Sequence, residues 1–242
     1  MKKTIKTVKM GINGEGIGYL DRVPVFIKGA LPLESVECDI PYTNGRYIKT
    51  KADKIIEKNP NRVEPECKYQ EDCNCILMSL NYKTQLEYKK QLLNEALFKY
   101  AGIRGRIIEP FIENPNVLYY RNQCKLPIRE EKGKLFSGLF MPESNQLIKI
   151  NRCIIHDKQM EDVKKQVMFI LNKYKVRGFD RRSKLGIRYI VIRTILNKTQ
   201  VSLVGGKDSY SQELIDEISN IESVVSVYQN INDDYKSIEI LG

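Results

Sequence analysis

Gly18-Tyr19-Leu20, Val23-Pro24-Val25-Phe26-Ile27 and Ser35-Val36-Glu37-Cys38-Asp39-Ile40 are short strand-like runs, punctuated by glycine and proline at Gly11 to Gly16, Gly29 to Pro32 and Asn44-Gly45. A period of two sends one face of each run into a core, and the punctuation supplies tight turns between them. With Ile5-Lys6-Thr7-Val8 ahead of them, residues 4 to about 55 have room for about five short strands, the number in a small OB-type barrel. Such barrels take single-stranded nucleic acid in a basic groove lined by stacking aromatics. Phe26, Tyr42 and Tyr47 are the candidates here; packing in the core is the competing reading, and the favoured one for Phe26.

Working outward, Leu86, Leu93 and Leu97 recur at helical spacing and predict a helix from about Leu80 to Tyr100. After Pro110 the pattern returns to strands at Tyr119 to Pro127, Lys134 to Phe140 and Gln146 to Ile150. A helix over about 157–175 carries Val163, Val167, Ile170 and Leu171 on one face. Then follow a strand (Ile187 to Ile195), a strand (Gln200 to Val204), a helix (Gln212 to Ser219) and strands at Val224 to Asn230 and Ser237 to Leu241, with Asn197-Lys198 marking a hairpin turn. The expected fold class is mixed α+β. Its divisions are an OB-like β-barrel over 1–58, a cysteine-rich segment and helix over 59–110, and an α+β domain over 111–242.

Cys67, Cys73 and Cys75 fall within nine residues, behind Arg62-Val63-Glu64-Pro65-Glu66, and Cys153 lies far downstream. Thiolates that converge repel one another unless a cation neutralises them, so the cluster points to a soft metal. Buried cysteines and disulfides are the alternatives. The amino terminus has charge without an apolar run behind it, and no stretch reaches ~18 apolar residues, so the expected compartment is a reducing cytoplasm with no membrane partner. His156 is the single histidine, which makes any zinc site all-cysteine or dependent on that one imidazole. A polar residue at the start of a helix is its plainer reading. Three close thiols plus a remote one suit a 4Fe-4S cluster, with zinc as the alternative.

The 40 basic and 30 acidic residues leave a net charge of +10. Ten Lys or Arg oppose only Asp180 between Lys164 and Arg193, for +9, whereas seven acids oppose Lys236 from Glu213 to Gly242, for −6. A local basic stretch of this kind fits a polyanion on one face, or else a solvated surface.

Taken in order, these pieces resemble the bacterial RNA uracil-C5 methyltransferases, which make 5-methyluridine in 23S ribosomal RNA and transfer RNA. Gly14-Glu15-Gly16-Ile17-Gly18-Tyr19 and Val25-Phe26-Ile27-Lys28-Gly29-Ala30-Leu31-Pro32 are similar to that family's TRAM module, an RNA-binding barrel. Arg62-x2-Pro65-x-Cys67-x5-Cys73, with Tyr82-x2-Gln85-Leu86 and Lys89, looks like its iron-sulfur motif. Tyr120-Arg121-Asn122 resembles the opening of its central region, Cys153 falls where its fourth cluster ligand sits, and Gly186-Ile187-Arg188 through Ile192-Arg193 is similar to a later strand. Cys73-Asn74-Cys75 is one residue shorter than the family's Cys-Gly-Gly-Cys, so the loop must bend sharply for both sulfurs to reach one metal.

The resemblance implies metal ligation by Cys67, Cys73, Cys75 and Cys153, and RNA contacts from Arg121, Asn122, Arg188 and Arg193. It implies S-adenosylmethionine only through a carboxy-terminal Rossmann-like domain, and the chain stops about where that domain would begin. Methylating uracil C5 needs a thiolate added to C6 and a base to remove the C5 proton. Cys38 and Cys124 lie in strand-like runs and read as core residues rather than nucleophiles. Val204-Gly205-Gly206-Lys207 is the nearest thing to a cofactor-binding turn and reads as a simple loop. The expected function is the RNA-recognition portion of such a methyltransferase, addressing ribosomal RNA with a missing or separate catalytic chain. A stand-alone metal- or iron-sulfur-containing RNA-binding protein is the alternative.

Overall fold

The computed structural model describes residues 1–41, 45–73, 75–105, 109–142 and 144–232. Expectations at Tyr42, at Asn44 and over Ser237 to Leu241 lie outside these. The chain divides into two compact units, Met1–Asn114 and Pro115–Gly242. The cysteine-rich segment, expected as a division of its own, is grouped with the barrel.

In the first unit β1 (Lys2–Met10), β2 (Gly16–Leu20), β3 (Val23–Lys28), β4 (Ser35–Asp39) and β5 (Ile48–Glu57) close into a barrel in the order β1-β2-β3-β5-β4. All pairings are antiparallel except β3 with β5. Alternation puts Ile5, Val25, Ile27, Val36, Cys38 and Ile48 inside. A side chain at Gly18 would meet Ile5 Cγ2 at 2.4 Å and the Lys6 carbonyl oxygen at 2.7 Å, so a residue without Cβ lets β1 and β2 close up here. Phe26 is not a core residue. It lies between the buried Val25 and Ile27, and the strand's pleat turns it to the outer face.

A second small core (Met10, Leu31, Ile76, Leu80, Tyr88) joins the barrel to the chain that follows it. Beside it Glu34, with no exposed surface, accepts four hydrogen bonds. They come from Leu31 N (2.8 Å), Asn59 N (3.1 Å), Arg62 Nε (2.6 Å) and Arg62 Nη2 (2.9 Å). Arg62 also donates to the Gly29 carbonyl, and the Asn59 amide donates to the Pro32 carbonyl and the Tyr88 hydroxyl. A buried carboxylate is tolerable only when paired and fully hydrogen-bonded, as this one is.

Helix α1 (Tyr82–Ala101) starts at Asn81, whose side chain accepts from Thr84 N at 2.9 Å, and ends at Gly102 in the left-handed conformation. Its inward residues are Thr84 and Tyr88. The leucine stripe read from spacing is only partly inward, and Leu93 is exposed.

The second unit is a six-stranded sheet in the order β11-β10-β9-β6-β7-β8. Its strands are β6 (Gln123–Glu131), β7 (Lys134–Phe140), β8 (Leu147–Lys149), β9 (Ile187–Ile195), β10 (Lys198–Gly205) and β11 (Val224–Ile231). Helices α2 (Lys158–Lys173) and α3 (Gln212–Ser219) pack on one face, α2 contributing Met160, Val163, Val167, Ile170 and Leu171 against Leu126, Ile128, Ile190, Ile192 and Leu203. Asp157 and Ser211 cap the two helices.

Two boundaries differ from expectation. The strand read from Tyr119 starts at Gln123, because Tyr119 takes a left-handed backbone (φ 59) and Arg121 pairs instead with the chain at Ile155 to Asp157. The β9–β10 turn is Leu196-Asn197, both at positive φ, with Lys198 already paired to Ile195. Among the described residues no helix is long and apolar enough to cross a membrane.

Replacing Arg62 by alanine strands the buried Glu34 carboxylate. The expected loss is roughly 3 kcal/mol or more of stability, read as a lower urea midpoint for the barrel-containing unit.

Candidate nucleic-acid interface

Register places Phe26 opposite Lys49 and Lys28 opposite Lys51, on the outer side of β3 and β5. Phe26 meets Tyr47 edge to face at 5.8 Å between ring centroids. Tyr19 and Tyr47 are each about half exposed, and all three lysines are exposed. Flat rings beside cations form a surface on which unpaired bases can stack while phosphates find positive charge. The Lys51 ammonium meets Glu71 of the cysteine segment at 3.3 Å, an exposed pair that contributes little energy but extends the charged surface.

The cysteine segment is a loop closed at its base. Asn81 N donates to the Asn61 carbonyl, the two asparagine side chains bond at 2.9 Å, and Val63 N donates to the Ser79 carbonyl. Within it Gln70 N, Cys73 N and Cys75 N donate to Cys67 O, Tyr69 O and Gln70 O, winding the chain into consecutive turns. Cys67, Cys73 and Cys75 are each half-buried. Three such donors on one short loop have the chemistry of a soft-metal site. Among the described residues no three His, Cys, Asp or Glu side chains are gathered about a common point.

Cys153, also half-buried, belongs to the second unit. It sits beside His156, which stands just ahead of the α2 cap at Asp157, is buried and meets Glu161 Oε1 through Nδ1 at 2.6 Å. Glu161 in turn accepts from Lys164 Nζ, which also donates to the Asn151 carbonyl at 3.0 Å. Burial raises the Cys153 pKa, but the hydrogen bond and charge of His156 outweigh it and hold the thiol below its ordinary value.

Arg121 and Asn122 come together on a cleft of about 200 Å³, with Gln123, Lys125, Leu139 and His156 also lining it. Both are exposed. Arg193 is exposed as well, its Nε and Nη2 donating to Gln123 Oε1 at 3.1 and 2.7 Å. Arg188 lies elsewhere. It is buried, donates from Nη1 to Asn232 Oδ1 at 3.1 Å and lies over the Phe179 and Tyr189 rings, so it braces the sheet rather than offering itself to a ligand.

Cys38 and Cys124 are core residues, and burial pushes the Cys124 thiol up to about 12, which keeps it protonated and unreactive. Gly205 and Gly206 are buried where a side chain would strike the Gly186 and Lys184 carbonyls, so this loop closes on protein backbone and has no room for a cofactor phosphate. Sequence reasoning missed Glu34, because nothing local distinguishes it from any solvated acid, and missed Lys28, Lys49 and Lys51, whose shared face depends on strand register.

No family model matches the chain. It is 34% identical over 241 residues to an uncharacterized RNA methyltransferase of Clostridium tetani, covering 96% of this chain and 52% of that protein. Over its whole length it is 31% identical to a Streptococcus pneumoniae protein of the same description, of which it covers 54%. The chain therefore spans about half the length of the curated relatives it matches. Among solved structures it is similar to the tRNA (uracil-54, C5)-methyltransferase of Pyrococcus abyssi, solved in complex with S-adenosyl-L-homocysteine, with a TM-score of 0.66 at 19% identity over 99% of this chain and 53% of that one. That likeness establishes a shared fold.

Replacing Lys164 by methionine leaves Glu161 buried with one partner fewer. A loss of about 3 kcal/mol is expected in urea unfolding, partly recovered when Glu161 is replaced by leucine in the same chain.

Proposed function

We propose that this chain is the RNA-recognition portion of an S-adenosylmethionine-dependent RNA (uracil-C5) methyltransferase acting on 23S ribosomal RNA, with methyl transfer carried by a further domain or a separate chain. The observation that carries the reading is the exposed Tyr19 and Tyr47, with the half-buried Phe26 on the barrel's outer face beside Lys28, Lys49 and Lys51, on a closed five-stranded barrel. The whole-length similarity to proteins described as RNA methyltransferases supports it.

A base that is to be methylated must leave its stack, and the flanking nucleotides have to be held while it does. In this reading Phe26 and Tyr47 stack unpaired bases, and the barrel lysines hold phosphates. Arg121, Asn122 and Arg193 meet a second stretch of the same RNA, and Arg188 braces the sheet. Cys67, Cys73, Cys75 and Cys153 hold a 4Fe-4S cluster, with zinc the other metal their chemistry fits. What supports this assignment is the soft-donor chemistry of the four thiols.

Replacing both Phe26 and Tyr47 by alanine should weaken binding of a 23S-derived stem-loop by roughly 1–3 kcal/mol per stacked base, with an unchanged urea midpoint. Binding equal to the parent chain would remove the barrel face from the interface. Anaerobically purified protein should carry iron and sulfide in equal amounts; zinc without sulfide would assign the other metal. Methylation of ribosomal RNA should appear only when a catalytic chain is added with S-adenosylmethionine. Tight RNA binding with no methylation under any pairing would favour a stand-alone RNA-binding protein.

A further inference from the structure

Lys165 is exposed on α2, and the other nine cations of the basic stretch sort into two populations. Lys164 and Arg188 are buried and bonded within the unit, Arg193 is tied to Gln123, and Lys173 meets Glu217 at 2.6 Å. Lys175, Arg177, Arg181, Arg182 and Lys184 all lie exposed on the connection from α2 to β9, where Asp180 is the only acid.

That connection is pinned along its length. Ile187 N donates to the Arg177 carbonyl, Phe179 N to Ile187 O, Asp180 N to Leu185 O and Lys184 N to Asp180 O. The Asp180 carboxylate accepts from both the backbone N–H and the hydroxyl of Ser183, each at 2.8 Å. Glu130 accepts from Gly178 N at 2.8 Å, and Asp208 accepts from Gly186 N. Gly186, at φ +94, lies where a Cβ would fall 2.4 Å from the Gly178 carbonyl oxygen, so the two arms of the loop press together backbone to backbone.

The acids therefore build the loop by binding its N–H groups, while the cations cover its outside. A solvated charge run relieves its self-repulsion by moving, and here the backbone that carries the cations is held in place. Cations close together in sequence on a pinned backbone suit a partner of closely spaced anions, whose condensed counterions are released on contact.

We propose that residues 175–184 form a preorganised clamp for the phosphate backbone of RNA, contacting it without reading sequence. This rests on the RNA-recognition reading above and adds to it a surface distinct from the barrel face and from the Arg121 cleft.

The test is binding of a labelled RNA stem-loop to the full chain across a salt series. Replacing Arg181 and Arg182 by alanine should lower the slope of log affinity against log salt by about two and weaken binding on the order of tenfold, equally for unrelated sequences. Lys198→Ala, at the start of β10 opposite Ile195, should leave the slope unchanged. Asp180→Ala separates a clamp from mere charge: removing an acid should tighten binding if only net charge matters, whereas loss of the Ser183 bonds should weaken it if the shape matters. An unchanged slope in the double variant, or tighter binding by Asp180→Ala, overturns the proposal while leaving the RNA reading intact. A parent chain that does not bind RNA overturns both.

Discussion

A carboxylate without any contact with water fixes the first half of this molecule. Glu34 gathers the backbone N–H groups of Leu31 and Asn59 and two nitrogens of Arg62, so the turn before β4, the chain leaving β5 and the entrance to the cysteine loop meet at one group. Its negative charge would be intolerable there alone, and Arg62 would have no reason to fold inward without it. The barrel's outer face and the loop that carries three thiols consequently share a frame. Lys51, reaching from one to Glu71 of the other, lies on that frame.

The second unit uses the same device in another place. Glu161 is held between His156 and Lys164 beneath the sheet, and Cys153 takes its low-pKa character from the same imidazole. In each unit a buried acid organises a short stretch of irregular chain that carries cysteine, and the regular strands and helices around it provide the hydrophobic core. Where strands and helices end, functional side chains begin: Arg121 and Asn122 sit just before β6, and the basic connection lies between α2 and β9.

The regular elements were legible because their signals are local. Helix α3 and strand β9 fall over the ranges expected of them, and Val163, Val167, Ile170 and Leu171 of α2 are all inside. Phe26 was misread as core because an aromatic in a strand gives no sign of its face until the register of its neighbours is known. The α1 leucines misled for the opposite reason. Their spacing is helical, but Tyr88 reaches Asn59 and takes the inward position. The charge count from Lys164 to Arg193 was correct as a sum and silent about which cations are spent inside the fold. That division depends on contacts with Asn151, Gln123, Glu217 and Asn232, none of which is a sequence neighbour of its partner.

The paired asparagines at 61 and 81 have a bearing on how this protein can vary. They bring both ends of the cysteine loop to one point, so residues added to or deleted from its far side do not alter the separation at which the chain enters and leaves. A one-residue deletion relative to the Cys-Gly-Gly-Cys pattern can thus be absorbed within the loop, leaving barrel and helix undisturbed. Length variation among homologues is expected to collect between these two asparagines sooner than in the strands on either side.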